Sequence, residues 1–148
     1  MFSRTNPSRF TFLSLLLGIF ILSFYDSAFA VTYYCEATKK VNSEIEYSEE
    51  KIKKYKYANK LEDMGDKAFI SRCSFTLSAK KVTCDRYEVD HIERSPIWNM
   101  ETKKDDKFIK KYYYFYGQLD FQLFPDLSFV ENNGRGGIAF GKCRVISP

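Results

Sequence analysis

The chain has 148 residues, 45% of them hydrophobic and 28% charged, and its formal net charge is +4. This length supports one domain with a buried core, and so small a net charge gives no support for nucleic-acid binding. Four cysteines, a single histidine and the absence of a Cys-x-x-Cys pair favour two disulfides over a zinc site. We therefore expect neither a metal nor another cofactor.

The first thirty residues have the three parts of a cleavable export signal. Arg4 and Arg9 supply positive charge, and an apolar run covers residues 10–24. The segment ends in Ala28-Phe29-Ala30, the pattern that signal peptidase accepts. The apolar run is shorter than the roughly 20 residues that a membrane-spanning helix needs. We expect residues 1–30 to be removed and the protein to be periplasmic or secreted, without a transmembrane anchor.

The segment after the signal begins with one clear strand and continues with an ambiguous stretch. Residues 31–37 are β-branched and aromatic, which favours a strand. In residues 43–61, Ser48 suits a helix cap and several apolar side chains share one helical face. Lysines interspersed with Ile52 and Tyr55 also suit a twisted edge strand. For residues 43–61 we favour the helix.

From Phe69 onwards, apolar residues alternate and predict a hairpin of residues 69–77 and 82–92. The alternation changes in the second strand, and a bulge near Asp85-Arg86 would restore a common apolar face. Residues 93–107 contain few strand formers. They are predicted to form the longest loop, with Ile97 and Trp98 against the core.

The last third has the clearest strand pattern. Residues 108–116 and 119–124 are predicted to pair across a two-residue type II′ turn at Gly117-Gln118, which sets Tyr116 opposite Leu119. The predicted elements that follow are a strand at 127–131, a glycine-rich connection at 132–137 and a final strand at 138–145. A bulge is expected at Gly141, where the apolar alternation changes.

Together these elements predict that residues 31–148 form one mainly β domain, a small antiparallel barrel or sandwich of about seven strands. The hairpin places Cys73 beside Cys84, within the distance that a disulfide requires. Cys35 and Cys143 then pair by elimination. Their pairing also fits a closed barrel, in which the first and last strands are neighbours.

Four side chains are the candidate binding residues. Arg135 lies at a glycine-rich hairpin tip, where its guanidinium is suited to an acidic cleft or a phosphate. Lys110, Lys111 and Tyr113 belong to a lysine–aromatic stretch that combines charge with stacking surface. An edge strand protected from aggregation by lysines would look the same. A protein or an anionic envelope component is the expected partner.

A second cluster, Asp85, Glu88, Asp90, His91 and Glu93, carries groups suited to acid–base chemistry. On a strand, Glu88 and Asp90 would point away from His91, so these groups would not converge. The chain also lacks the common nucleophile, metalloprotease and phosphate-loop motifs. We expect a non-catalytic, inhibitor-like or binding module of the cell envelope. The alternative is a small enzyme that acts on a cell-surface polymer through the carboxylates of residues 85–93.

In outline, Tyr33-Tyr34-Cys35 after the signal and Gly141-Lys142-Cys143 near the end resemble the ends of small periplasmic lysozyme-inhibitor barrels. The resemblance covers these two short segments. The Ser-Gly-x-x-Tyr loop that carries inhibition in that family is absent, so no functional residue is carried over.

The signal prediction can be tested directly. N-terminal sequencing of the exported protein should give Val31 as the first residue, because cleavage follows Ala30. Exported material that still contains residues before Ser27 would contradict this prediction.

Overall fold

The computed structural model describes residues 30–147, so the predicted signal peptide lies outside the described residues. The elements are β1 (Val31–Val41), α1 (Glu49–Tyr55), β2 (Ala58–Asp63), β3 (Ala68–Thr76), β4 (Lys81–Glu88), β5 (His91–Asn99), β6 (Lys104–Tyr114), β7 (Leu119–Leu123), β8 (Ser128–Asn132) and β9 (Ile138–Ser147). The domain is mainly β, as predicted. Within residues 30–147, no helix is long and apolar enough to cross a membrane.

All nine strands form one antiparallel sheet in the order β4-β3-β2-β1-β9-β8-β7-β6-β5. The chain therefore builds two meanders, β1 to β4 and β5 to β9, which are joined in the middle of the sheet by the pairing of β1 with β9. The edge strands β4 and β5 do not pair with each other. The sheet is open, and the predicted closed barrel of about seven strands is wrong.

The two edges nevertheless lie close together, because Val89 and Asp90 alone separate β4 from β5. Three residue steps span at most about 10 Å. The Val89 N–H donates to the Ala68 carbonyl on β3 (3.0 Å), and the Asp90 N–H donates to the Tyr113 carbonyl on β6 (2.8 Å). The chain thus leaves one edge and enters the other within two residues. The sheet must curl until its two meanders face each other.

This exchange of partners corrects the prediction for residues 82–92. They belong to two strands, and the ladder between β3 and β4 runs from Phe69–Glu88 to Thr76–Lys81 without a bulge. Cys84 is exposed and Tyr87 is half-buried. The alternation changes because the disulfide of Cys84 lies on the outer face, whereas Tyr87 faces inward.

The concave face of the curled sheet contains the core. The Phe121 and Phe129 rings stack at 5.1 Å between centroids, on neighbouring strands. Burying a side chain of this size stabilises the fold by about 1.5–3 kcal/mol. The largest fully buried side chains are Tyr112, Phe121, Phe129, Leu61, Ile70 and Cys35. They come from both meanders, so neither meander has a complete core alone.

A buried carboxylate on β2 also joins the meanders. Asp63 accepts hydrogen bonds from Lys110 Nζ (2.7 Å), the Tyr112 hydroxyl (2.9 Å) and the Gly65 N–H (2.9 Å). Burial would raise the pKa of Asp63, but these hydrogen bonds and the Lys110 charge outweigh burial and lower the pKa. Tyr112 and Lys110 lie on β6, so this cluster fixes β6 against β2.

The ambiguous segment 43–61 contains a short helix that includes Ile52 and Tyr55, so the alternative of an edge strand through these residues is wrong. The Ser48 side chain caps α1 by accepting a hydrogen bond from the Lys51 N–H (3.3 Å). Lys56, with a φ of 48°, ends the helix, so Leu61 belongs to β2 rather than to a helix over 43–61. The helix packs against β1 and β3, with Ile52 buried.

Residues 93–107 lie largely in the β5–β6 hairpin, so the predicted long loop is wrong. Pro96 faces Phe108 on an edge strand, where a missing N–H is tolerated. β7 pairs with β6 from Lys110 to Tyr114, so the first half of β6 pairs with β5 alone and this part of the hairpin forms an extension past the end of β7. Trp98 is 56% exposed in this extension, and the prediction that it packs against the core is also wrong.

Two local predictions in the last third need correction. Tyr114 faces Leu119, so the β6–β7 turn has four residues instead of two. The register therefore differs by two residues from the prediction, which leaves the same side chains facing inward. The predicted bulge near Gly141 lies in β1 instead, between Ala37 and Lys39. A Cβ on Gly141 would overlap the Glu36 carbonyl oxygen, which explains the glycine.

The structure contains both predicted disulfides, Cys73–Cys84 and Cys35–Cys143. Each joins residues that face each other in neighbouring strands. The hairpin argument for Cys73–Cys84 is confirmed. The barrel argument for Cys35–Cys143 is not, because β1 and β9 are neighbours in the centre of an open sheet rather than at the seam of a barrel.

Replacing the two disulfides by serine pairs should destabilise the domain unequally. The Cys35–Cys143 bridge spans 108 residues and the Cys73–Cys84 bridge spans 11. Chain entropy then predicts losses of about 4–5 and about 3 kcal/mol, respectively. Urea unfolding of Cys35→Ser/Cys143→Ser and of Cys73→Ser/Cys84→Ser measures both. A larger loss for the second variant would contradict this order.

Candidate functional site

Beyond the apolar core, the inner face of the curled sheet becomes polar at the level of Arg72 and Asn59, which face each other across β3 and β2. Two cavities open there, and Arg72 lines both. We call the first the polar cavity; it has a volume of about 170 Å³, and its polar lining residues are Lys40, Tyr57, Asn59, Arg72, Ser74, Asp85 and Glu131. We call the second the tyrosine cavity; it has a volume of about 270 Å³ and is lined by Arg72, Tyr87, Tyr114, Tyr116, Gly117, Leu119, Asn133 and Arg135.

Glu131 on β8 is the central group of the polar cavity. It is 4% exposed, and its Oε2 accepts a hydrogen bond from Asn59 Nδ2 (2.6 Å). Its Oε1 lies 2.7 Å from Arg72 Nε, in an ion pair without hydrogen-bond alignment. These contacts connect β8 with β2 and β3 across the fold. A buried carboxylate needs such partners, because an unpaired one would be strongly destabilising.

Lys40 on β1 adds a second cation beside this pair. Its Nζ lies 4.7 Å from the centre of the Tyr57 ring. Burial lowers the pKa of Lys40; the nearby Glu131 charge opposes this shift and the Arg72 charge adds to it. Lys40 makes no ion pair within 4 Å among residues 30–147.

Three tyrosines form one wall of the tyrosine cavity. Tyr87 on β4 and Tyr114 on β6 stack at 4.9 Å between ring centroids, although their strands belong to different meanders. Tyr116 follows at 6.3 Å from Tyr114 and is 92% exposed. The aromatic wall therefore extends from the interior to the surface. Such faces are suited to stacking with planar groups or with the apolar faces of sugar rings.

Arg135 reaches the same cavity from the β8–β9 connection. The Asn133 side chain holds this connection by accepting hydrogen bonds from the N–H groups of Arg135 and Gly137, both at 2.9 Å. Gly134, with a φ of 68°, packs so closely on Gln118 that a Cβ would approach the Gln118 Cβ to 2.6 Å. The connection is thereby pressed against the β6–β7 turn, which brings Arg135 to the tyrosines.

The other predicted binding residues do not join this site. Lys110 is committed to Asp63. Lys111 Nζ pairs with Glu93 Oε1 at 3.0 Å, and the Tyr113 ring stacks on His91 at 5.9 Å. Since Lys111 and Tyr113 alternate with the inward-facing Tyr112, they lie on the outer face. Of the four predicted binding residues, Arg135 lines the tyrosine cavity.

The carboxylates of residues 85–93 also separate. Glu88 pairs with Lys67 (2.8 Å), and Asp90 Oδ2 accepts a hydrogen bond from the Phe115 N–H (2.7 Å). Neither lines the polar cavity or the tyrosine cavity. Asp85 does line the polar cavity, together with Glu131. An enzyme that uses this segment would therefore depend on Asp85 and on a residue far away in the sequence.

The comparisons with known proteins leave the geometry as the basis for function. No protein-family model matches the chain, and no curated protein and no solved structure matches it either. Within residues 30–147, no group of three or more His, Cys, Asp or Glu side chains is placed to hold a metal ion.

Sequence reasoning missed most of the site. The apolar alternation in residues 69–77 runs through Phe69, Cys73 and Phe75, which would turn these side chains inward and Arg72 outward. The Cys73–Cys84 bridge lies on the outer face, and this reverses the assignment. Glu131 gave a usable signal, since a carboxylate at the end of an apolar strand is suited to pairing with a buried cation.

Replacing Glu131 by Gln should destabilise the fold more than a matched surface change. The substitution removes the charge that Arg72 and Lys40 face, and it should cost about 1–3 kcal/mol, since Arg72 is partly solvated. Glu88→Gln, which breaks the exposed pair with Lys67, is the control and should leave the urea midpoint nearly unchanged. Equal midpoints for the two variants would show that Glu131 is not required for packing.

Proposed function

We propose that this chain is an exported, non-catalytic binding module of the cell envelope, and that its tyrosine cavity binds an acidic saccharide. One observation carries the proposal: two arginines from different meanders, Arg72 and Arg135, converge on a cavity walled by three tyrosines. Two disulfides and the lack of a membrane-spanning helix in residues 30–147 are compatible with export.

The charge of the tyrosine cavity favours an anion. Its lining contains two guanidinium groups and no carboxylate. Arg72 uses Nε for Glu131, and its Nη nitrogens have no hydrogen-bond partner among residues 30–147. Arg135 is exposed, and its side chain makes no ion pair in that range. Both arginines therefore retain donors for the forked recognition of a carboxylate.

The shape of the tyrosine cavity favours a ring. Its volume of about 270 Å³ is slightly below the usual range of ligand pockets, which suits one sugar unit rather than a large cofactor. The tyrosines offer ring faces, and their hydroxyls can bond sugar hydroxyls. An acidic saccharide supplies both features, a carboxylate for the arginines and a ring for the tyrosines.

The alternative of a small enzyme is supported by the shared location of Asp85 and Glu131 alone. Both Glu131 oxygens are already engaged by Asn59 and Arg72, which leaves little capacity for proton transfer. We therefore rank binding above catalysis.

Arg135→Ala should weaken the binding of trigalacturonate without affecting the fold. Losing one charged hydrogen-bonding group corresponds to a decrease of about 10- to 100-fold in affinity. The variant should unfold within about 0.5 kcal/mol of the parent, because Arg135 is exposed in a turn that Asn133 holds. Calorimetric titration and urea unfolding measure the two effects.

Two controls sharpen this experiment. Arg144→Ala removes an exposed arginine that lies over Tyr34 on another face, so it should leave the affinity unchanged. Neutral maltotriose should bind at least tenfold more weakly than trigalacturonate, and added salt should weaken the binding of the acidic probe. Equal binding of both saccharides, or tighter binding of an acidic peptide than of trigalacturonate, would contradict the proposal.

A further inference from the structure

The polar cavity contains an acceptor that the protein leaves unused. Asn59 is 3% exposed, and its Nδ2 donates to Glu131. Because a carboxylate can only accept here, the amide nitrogen must face Glu131, and Oδ1 is the remaining polar atom of the Asn59 side chain. Asn59 Oδ1 is buried and has no hydrogen-bond partner among the described residues. A buried carbonyl oxygen without a donor costs about 1–3 kcal/mol, so this position favours a ligand that donates a hydrogen.

The polar cavity is also lined by two opposite charges, Lys40 and Asp85, that make no ion pair among residues 30–147. Lys40 is half-buried and makes no ion pair within 4 Å, and burial lowers its pKa. Asp85, an exposed residue at the rim of the cavity, lies opposite Arg72 in the β3–β4 ladder and likewise makes no ion pair in residues 30–147. The remaining charges, Glu131 and Arg72, neutralise each other. The cavity thus offers a half-buried ammonium group, an exposed carboxylate at its rim and a buried acceptor without a donor.

We propose that the polar cavity binds a small zwitterionic amino acid. The carboxylate of the amino acid pairs with Lys40 and with the free Nη donors of Arg72. Its ammonium group donates to Asn59 Oδ1 and faces Asp85. An isolated anion would leave Asn59 Oδ1 unsatisfied, and an isolated cation would leave Lys40 unpaired, so neither satisfies all three groups.

The volume of the cavity limits the amino acid. A volume of about 170 Å³ is well matched to glycine or alanine, whereas a larger side chain would have to project out of the cavity. This site is distinct from the saccharide site, since Arg135 and the three tyrosines do not line it and Arg72 alone is shared. The inference therefore goes beyond the proposed function and does not depend on it.

The test is a titration of the isotopically labelled, disulfide-bonded protein with glycine and alanine, followed by NMR. Both should shift the Asn59 side-chain amide at millimolar concentrations. Acetate, methylammonium and phenylalanine should bind at least tenfold more weakly. Lys40→Met and Asp85→Asn should each reduce glycine affinity about tenfold or more, because each removes one charged contact.

Matched controls separate a local effect from a folding defect. Lys39→Met changes the neighbouring lysine, which pairs with Glu46 instead, and should bind glycine like the parent. Asp66→Asn is the corresponding control for Asp85. Thermal unfolding of all four variants shows whether the fold is retained.

The outcomes also distinguish this proposal from the saccharide proposal. Arg135→Ala should retain glycine binding, and Lys40→Met should retain trigalacturonate binding. If glycine and alanine produce no shifts, or if acetate alone binds as tightly as glycine, the amino-acid site is overturned whatever the saccharide result. Unchanged glycine binding in a folded Lys40→Met variant would overturn it as well.

Discussion

The pairing of the first strand, β1, with the last strand, β9, holds the two meanders together. β1 and β9 lie in the centre of the sheet, and Cys35 and Cys143 face each other there with both side chains buried. Each meander can form its own local hairpins, but neither can bury its inner face without the other. Joining the chain ends is a contact of very high sequence separation, and its entropic cost is largely removed once the disulfide has formed.

The two-residue link between β4 and β5 then imposes curvature. An open nine-stranded sheet would normally hold its edges far apart, yet here they are tied together at Val89 and Asp90. The sheet is open, because β4 and β5 are not hydrogen-bonded to each other, but it curls far enough to bring one end of β4 next to one end of β5. That curvature brings Tyr87 against Tyr114 and Arg72 against Glu131, although these residues lie in different meanders. Both cavities result from this curvature of the sheet.

The polar groups around Asn59 and Arg72 lower the stability of the fold, because they are buried with incomplete partners. A hydrophobic cluster could have filled the same space with Leu or Phe, as happens a few residues away around Phe121. Instead, charged and amide groups are held there with incomplete partners, notably Asn59 Oδ1 and Lys40. Unsatisfied polar groups on a rigid scaffold are typical of places where a ligand completes the hydrogen bonding. In a second polar contact across the fold, both carboxylate oxygens of Asp63 accept hydrogen bonds.

Features that depend only on neighbouring residues could be predicted from the amino-acid sequence. They include the mainly β class, the Ser48 cap and the Cys73–Cys84 hairpin, because alternation, capping and short-range register are local properties. The pairing of strands, in contrast, produced the hairpin over residues 93–107. It also set the direction in which Cys73 and Arg72 face and the position of the bulge in β1. Each of these depends on which strand lies alongside, and a change of partner at Val89–Asp90 leaves no local signature. The candidate site follows the same rule. The position of Arg135 at a hairpin tip was visible in its flanking glycines, whereas Asn59, Arg72 and Glu131 became a site only when the sheet curled and brought distant strands together.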